Sequence, residues 1–186
     1  MPNQVNLSQY TNAWYKPGSK LKCGVWYFIN VIILKSSWLP FSGFRVGLLR
    51  VFGAKIGANV VIKPGVSIKY PWKLTVGDNT WIGEQVWIDN LDTITIGSDV
   101  CISQGAMLLS GNHDYTSVTF DLILAPIHLE SGVWIGANCL VCNGAVIGSH
   151  AVLTAGSVAS SDLEPFSIYR GNPAVKIKNR LLAHDS

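Results

Sequence analysis

Charged side chains are scarce in this sequence, and a strong excess of one sign is missing. Asp, Glu, Lys and Arg make up 13% of the 186 residues, and the formal net charge is only +3. Proteins that bind nucleic acid through phosphate contacts carry a marked basic excess. We therefore predict no nucleic-acid partner.

Cysteine is also rare, and no apolar run is long enough to cross a membrane. Four cysteines in a chain of this length do not form a dense disulfide framework, so we expect a reducing compartment, the cytoplasm. The apolar stretch over residues 25–34 is shorter than the roughly 20 residues that a membrane-spanning helix needs. Apolar residues nevertheless make up 48% of the chain, which is enough for a substantial core.

A six-residue period runs through two thirds of the chain. It is marked by an aliphatic residue that is often followed by Gly, and such a short fixed period decides the architecture before local propensity does. The aliphatic residues are Ile56, Ile62, Ile68, Val76, Ile82, Ile88, Ile96, Ile102, Leu108, Leu129, Ile135, Val141, Ile147 and Leu153.

A small or β-branched residue follows most of these positions by four. Strand side chains alternate between faces, so this residue and the next aliphatic one point inward, while Trp81, Trp87 and Trp134 point outward. Three six-residue sides close a triangular coil, and successive coils stack with the inward residues in ladders. The inward residues are Val60, Val66, Thr80, Val86, Val100, Ala106, Val133, Cys139, Ala145, Ala151 and Ser157.

This pattern resembles the hexapeptide-repeat acyltransferases. The whole chain, including Asp89-Asn90 and Gly111-Asn112-His113-Asp114-Tyr115, most resembles the sugar O-acetyltransferases of the colanic-acid-biosynthesis type. The resemblance implies a mainly β fold: a left-handed parallel β-helix with short N-terminal helices and a protruding loop. We expect an N-terminal extension over residues 1–55, the β-helix over 56–164 with a loop insertion at 110–128, and a CoA-associated segment over 165–186. Members of the family are trimers with the active site between neighbouring coils, so we expect a homotrimer.

His113 stands at the start of the large loop, within Gly111-Asn112-His113-Asp114-Tyr115. The segment resembles the catalytic loop of O-acetyltransferases with this fold. Acyl transfer to a hydroxyl needs a base near neutral pKa, because an alcohol is a weak nucleophile until its proton is accepted. We therefore predict that His113 is the general base, and that no cysteine serves as a nucleophile.

An alternative function within the same fold depends on a metal ion. The γ-class carbonic anhydrases bind metal through histidines on adjacent faces, but position 118, where a close second ligand would follow His113, is Val118. We predict no metal ligands and no metal requirement for catalysis.

The C-terminal segment closely resembles the Gly-Asn-Pro-Ala segment of acetyl-CoA-dependent members. Small residues allow close approach of the pantetheine arm, and cationic side chains attract the phosphates of CoA. Trp134, which the period places outward, is included among the candidates, although outward aromatics also suit a subunit interface. The candidate donor-binding residues are Trp134, Ala155, Gly156, Ser160, Gly171, Asn172, Pro173, Lys176, Lys178 and Arg180.

Acceptor binding leaves a weaker signature. Glu84, Asp89 and Asn90 precede His113 by about one coil or a little more, which stacks residues on one face of a repeat near eighteen residues long. We take them as candidate acceptor-binding residues. Asp89 fits a corner position equally well.

The first 55 residues lack the period and predict two short helices, one around residues 25–34 and one around 44–52. They fit a cover for the open end of the coil or a contact with a trimer partner. Peripheral membrane contact through residues 20–52 is the alternative, and it would place the protein at the inner face of the membrane.

The resemblance implies transfer of an acetyl group from acetyl-CoA to a hydroxyl of a sugar or sugar-containing acceptor, in surface polysaccharide biosynthesis. A xenobiotic or other small-molecule acceptor, or a non-catalytic assembly scaffold, remains open.

Overall fold

Two short helices open the chain in the computed structural model, which describes residues 4–183. Helix α1 spans Lys20–Ile29 and continues as a π-helical turn over Asn30–Leu34; helix α2 spans Ser42–Val51. The Ser19 hydroxyl caps α1 by accepting a hydrogen bond from Lys22 N. No helix within residues 4–183 has the length and apolar character needed to cross a membrane.

The remainder consists of short strands, most of two or three residues, because a corner interrupts the chain after each one. The strands are β1 Lys55–Ile56, β2 Val61–Ile62, β3 Ser67–Ile68, β4 Leu74–Val76, β5 Trp81–Ile82, β6 Trp87–Asp89, β7 Ile94–Ile96, β8 Cys101–Ile102, β9 Met107–Leu109, β10 Gly111–His113, β11 Leu122–Leu124, β12 Ile127–Leu129, β13 Trp134–Ile135, β14 Leu140–Val141, β15 Val146–Ile147, β16 Val152–Leu153, β17 Val158–Ala159, β18 Ser167–Gly171 and β19 Ala174–Asn179.

These strands form a parallel β-solenoid of about six coils, so the predicted fold class is confirmed. Three sheets form its sides, in the strand orders β1-β4-β7-β12-β15, β2-β5-β8-β13-β16-β18-β19 and β3-β6-β9-β14-β17. Ile82, Ile102 and Ile135 are neighbours on one ladder and are all buried, as the period predicts. The predicted small inward residues are buried as well, whereas Trp81, Trp87 and Trp134 are exposed on the outer faces.

The corners are stabilised by side-chain ladders. Asn59, Asn79 and Asp99 occupy equivalent corners with positive φ, a conformation that Asn and Asp tolerate well. Asn59 Nδ2 donates to Asn79 Oδ1 at 3.0 Å, and Asn79 Nδ2 donates to Asp99 Oδ1 at 3.2 Å. Each corner therefore fixes its position in the stack through the corner of the next coil.

The N-terminal helices cover the first coil. Trp26 is buried and its indole N–H donates to Ile68 O at 2.8 Å, while Ser42 Oγ accepts from Ile62 N at 2.8 Å. A two-stranded antiparallel hairpin, β10–β11, protrudes from the middle coils. It lies within the predicted insertion, although Ile127–Leu129 already belongs to the next coil, so the excursion is shorter than 110–128.

Candidate functional site

His113 is the last residue of β10 and is paired with Leu122 of β11, at the end of the two strands where the loop of the protruding hairpin begins. Its Nδ1 is 2.8 Å from Phe120 O. A carbonyl oxygen can only accept, so this hydrogen bond requires the proton on Nδ1 and leaves the lone pair of neutral imidazole on Nε2. The tautomer is the one that a base acting through Nε2 needs.

Two aromatic rings fix the plane of this imidazole. The Phe120 ring stacks on it with centroids 4.4 Å apart and planes 7° apart, and the Tyr10 ring lies at 5.6 Å. Phe120 adopts a positive φ of 54°, which is uncommon for a bulky residue. This one residue therefore orients His113 with both its carbonyl and its ring.

His113 and Leu122 of the hairpin line a cleft of about 360 Å³ together with Leu91 and residues from two other parts of the chain. Tyr10, Asn12 and Tyr15 come from the N-terminal segment, and Lys69 and Tyr70 come from the end of the first coil. Hydroxyl, amide and ammonium groups around an imidazole suit a polar acceptor that carries several hydroxyls.

Tyr15 and Lys73 brace one wall of this cleft. Tyr15 donates its hydroxyl hydrogen bond to Leu91 O at 2.7 Å, and Lys73 donates to the same carbonyl while its ammonium lies 4.9 Å from the centre of the Tyr15 ring. Burial raises the pKa of the Tyr15 hydroxyl and lowers the pKa of the Lys73 ammonium. Tyr15 thus stays protonated and keeps donating at neutral pH.

The three predicted acceptor residues do not meet in this cleft. Asp89 is closest, since its Oδ1 lies 2.9 Å from Nζ of Lys69, a cleft residue. Asn90 is fully buried, with Nδ2 donating to Tyr70 O at 2.6 Å and Oδ1 accepting from Tyr70 N at 2.9 Å. These two hydrogen bonds hold the backbone of Tyr70 in place from inside the coil. Glu84 is exposed beside a different, smaller cleft of about 170 Å³ near Trp81.

A second cleft, of about 380 Å³, runs along the outer face of β13 and β16. Trp134 and Ala155, both predicted to bind the donor, line it together with Ser103 and Thr154. The Trp134 indole N–H donates to Ser103 Oγ at 3.0 Å, which holds the ring along the wall. Gly156 follows directly and has no atom within 4 Å of where a side chain would begin. The lining of the cleft is therefore largely apolar, and the space beside the backbone of Gly156, the residue after Ala155, is open.

The other predicted donor residues occupy the last coil and the terminal hairpin β18–β19. Gly171 N donates to Ser157 Oγ at 3.0 Å, while Asn172, Pro173 and Ser160 are exposed. The cations differ from one another. Lys178 is exposed, Lys176 pairs with Glu164 at 2.7 Å, and Arg180 Nη1 donates to the carbonyls of Gly132 and His150, both at 3.0 Å.

The fold is shared with a solved hexapeptide-repeat acetyltransferase from Vibrio cholerae O1 biovar eltor in complex with acetyl coenzyme A. The two superpose with a TM-score of 0.75 at 23% identity, covering 86% of each chain. The colanic acid biosynthesis acetyltransferase WcaF of Escherichia coli (strain K12) is 40% identical over 167 residues, which make up 90% of this chain and 92% of that protein. The chain belongs to the hexapeptide-repeat acetyltransferases.

A more distant relative of this acetyltransferase is the galactoside O-acetyltransferase of Escherichia coli (strain K12). It is 28% identical over 137 residues, which are 72% of the chain and 68% of the relative. No protein-family model matches the chain.

The cysteines of this acetyltransferase are free thiols, and Cys139 is buried. Burial raises the pKa of the Cys139 thiol, and its sulfur lies 3.0 Å from Thr154 O. A buried, protonated thiol is a poor nucleophile. Cys139 instead fills one of the small inward positions of the coil.

Sequence reasoning missed the residues that surround His113 in this acetyltransferase. Phe120, Tyr10, Tyr15 and Lys69 lie outside the period or on its outer face, so no repeat marks them. A signal was present in the aromatic residues of the N-terminal segment, which lie in a stretch otherwise rich in polar residues. Whether these aromatic residues contact the hairpin depends on the path that the N-terminal segment takes across the coils.

Proposed function

We propose that this acetyltransferase moves an acetyl group from acetyl-CoA to a hydroxyl of a sugar-containing acceptor, with His113 as the general base. The observation that carries the proposal is the hydrogen bond between His113 Nδ1 and Phe120 O, at 2.8 Å, in a cleft lined by polar side chains. It leaves Nε2 as the nitrogen that can accept a proton. The names of the colanic acid and galactoside relatives support a sugar as the acceptor.

The reaction is a direct transfer. Nε2 of His113 accepts the proton of the acceptor hydroxyl while its oxygen attacks the thioester carbonyl and forms the new C–O bond. Collapse of the tetrahedral intermediate breaks the C–S bond, and the imidazolium returns its proton to the departing CoA sulfur. The Phe120 carbonyl and ring stabilise the imidazolium between these steps.

The donor is assigned to the cleft along β13 and β16. Its apolar lining suits the pantetheine arm, Gly156 leaves room for close approach, and the exposed Lys178 is free to meet a phosphate. Lys176 and Arg180 are weaker candidates for phosphate binding, because each already has acceptors within the chain. The relative solved with acetyl coenzyme A supports this donor.

We also propose a homotrimer in the cytoplasm, acting in surface polysaccharide biosynthesis. The exposed outer face around Trp87 supplies apolar area for subunit contacts, and four free thiols suit a reducing compartment.

Acetyl-CoA should support thiol release in the presence of a sugar or nucleotide sugar, and this is the direct test of the function. A panel of such acceptors is measured beside hydroxyl-bearing antibiotics and other small alcohols. Turnover confined to the antibiotics would contradict a sugar acceptor while leaving the acyltransferase assignment intact.

Binding of CoA should raise the thermal unfolding midpoint. A ligand that binds only the folded state adds about 2.7 kcal/mol of stability at a concentration 100 times its Kd. The measurement is a thermal-shift titration with CoA, with adenosine as the control because it lacks the pantetheine arm. A scaffold without catalytic function would show no CoA-dependent shift.

Replacing Trp134 by alanine should raise the KM for acetyl-CoA roughly tenfold and change kcat little, because a large apolar wall of the donor cleft is lost. Trp81→Ala is the matched control. Trp81 and Trp134 flank Cys101 on the same outer ladder and are exposed to similar degrees, 59% and 48%. Equal effects of the two substitutions on KM would argue against this cleft as the donor site.

A further inference from the structure

The net charge of this protein is small, but its basic and acidic residues are distributed unevenly along the chain. Ten of the 14 Lys and Arg residues precede Asp78, whereas all 11 Asp and Glu residues lie at or after it. The N-terminal helices and the first coil are therefore cationic without any acidic side chain, and the later coils are acidic. A polarity of this kind along a solenoid gives its first end a positive potential.

The same end exposes large apolar side chains in the helical segment. Phe28 is 63% exposed, Ile32 56%, Trp38 67% and Phe41 67%. Single exposed apolar residues are ordinary, but a group of this size on one short segment indicates a surface that is covered in use. Its members lie on α1, its π-helical extension and the linker to α2.

Packing inside the segment explains why these side chains face outward. Trp26, Leu34 and Leu49 turn inward and are buried against the first coil. Each helix thus has one face committed to the core and leaves the opposite face to solvent. Lys20 and Lys35 are exposed in the same segment, at the beginning of α1 and just after its π-helical extension. We call the group Lys20, Phe28, Ile32, Lys35, Trp38 and Phe41 the cap surface.

We propose that the cap surface docks on an anionic lipid bilayer. Aromatic and aliphatic side chains enter the interface between headgroups and acyl chains, while lysines attract anionic headgroups. A nucleic acid would use the cations but not the aliphatic residues. A second copy docking cap to cap would bring cations against cations, which charge repulsion disfavours.

The cap surface adjoins the cleft at His113, where the proposed function places the acceptor and which we call the acceptor cleft. A groove of about 500 Å³ lies beside α1 and is lined by Tyr27, Val31, Lys35 and Lys69, and Lys69 also lines the cleft at His113. If the proposed function holds, docking through the cap surface brings the acceptor cleft close to the bilayer. Docking itself is independent of catalysis and is measured separately.

Vesicle flotation with the full-length protein tests the proposal. Binding is expected to vesicles of phosphatidylglycerol and phosphatidylcholine, with much weaker binding to pure phosphatidylcholine. The attraction to headgroups is screened by salt, so binding to the anionic vesicles should fall as ionic strength rises. Failure to bind anionic vesicles at low salt overturns docking, whatever the acetyltransferase assays show.

Substitutions separate the contribution of the lysines to vesicle binding from that of the apolar side chains. Each lysine near an anionic surface contributes roughly fivefold to partitioning, so Lys20→Gln with Lys35→Gln should weaken binding about 25-fold. Phe28→Ser and Trp38→Ser should each weaken it roughly tenfold. Leu181→Ser with Lys178→Gln is the matched control, because both residues are exposed at the opposite end of the solenoid.

Thermal melting establishes that each variant is folded, and size-exclusion chromatography follows the oligomeric state. Equal vesicle binding by the cap and control variants would overturn the proposal. So would cap variants that alter the oligomeric state while the parent protein fails to bind vesicles, since the surface would then be a contact between chains.

Discussion

Substitution of His113 by alanine is expected to lower kcat by about 10²- to 10⁴-fold, the range that a positioned general base contributes. The loss arises because the attacking hydroxyl would have no acceptor for its proton in the cleft. KM for acetyl-CoA should change little, since the donor cleft is lined by other residues. The measurement is steady-state thiol release with both substrates varied, together with CoA binding by thermal shift.

His128→Ala is the control for this substitution. His128 is exposed on β12, within the coil that follows the hairpin, and it is not among the residues that line the acceptor cleft. Full activity of His128→Ala beside a severe loss in His113→Ala would support the assignment. A His113→Ala enzyme that turned over its acceptor at the parent rate would refute it.

The solenoid is readable from the sequence because its rules are local. A six-residue period assigns each residue to the inside, the outside or a corner without reference to any distant segment. Ile88 and Leu108 are adjacent on one ladder and both buried, as that rule requires. The same physical demand recurs in every coil, so one irregular position hardly weakens the pattern.

The surroundings of His113 could not be predicted in this way. Tyr10 reaches the imidazole across more than a hundred residues of chain, and Asn6 N donates to Val118 O at 2.8 Å to hold the N-terminal segment against the hairpin. Contacts between sequence-distant segments leave no period. Phe120 also has a positive φ, which cannot be predicted from its residue type.

The three predicted acceptor residues, Glu84, Asp89 and Asn90, show what spacing along the chain can predict and what it cannot. Asp89 pairs with Leu109 on adjacent strands, so counting one coil back from the hairpin does locate the neighbouring rung. Glu84 precedes Asp89 by five residues, which is almost a full side of the triangle. It therefore lies at the corner before β6 and not beside Asp89. The position of a residue within the six-residue unit therefore matters as much as its distance in coils.

The terminal cations illustrate a different limit. Lys176, Lys178 and Arg180 form one basic cluster in the sequence, yet the structure gives them three environments: an ion pair, solvent and two backbone carbonyls. In an antiparallel hairpin, alternation and a register shift near Ile168 decide which side each residue faces. The composition of the segment therefore does not predict which side of the hairpin each cation faces.

Gly136→Ala is expected to destabilise the protein by about 3 kcal/mol, near the upper end of the usual cost of overpacking. Gly136 begins the corner after β13, and a Cβ there would lie 2.5 Å from Ala155 N and 2.8 Å from Leu153 O of the next coil. Both are backbone atoms held in the ladder, so they cannot rotate away as a side chain would. The coils would have to separate locally, and the donor cleft formed by the same corner would widen.

Gly47→Ala provides the opposite expectation and is the control. Gly47 lies within α2 and has no atom within 4 Å of where an alanine methyl group would lie, so alanine should raise stability by about 0.5–1 kcal/mol through its better helix propensity. Chemical denaturation of both variants measures the free energy of unfolding. A Gly136→Ala protein as stable as the parent would mean that the coils are not stacked closely enough for their backbones to exclude a methyl group, and the ladders that hold both clefts in place would lose their physical basis.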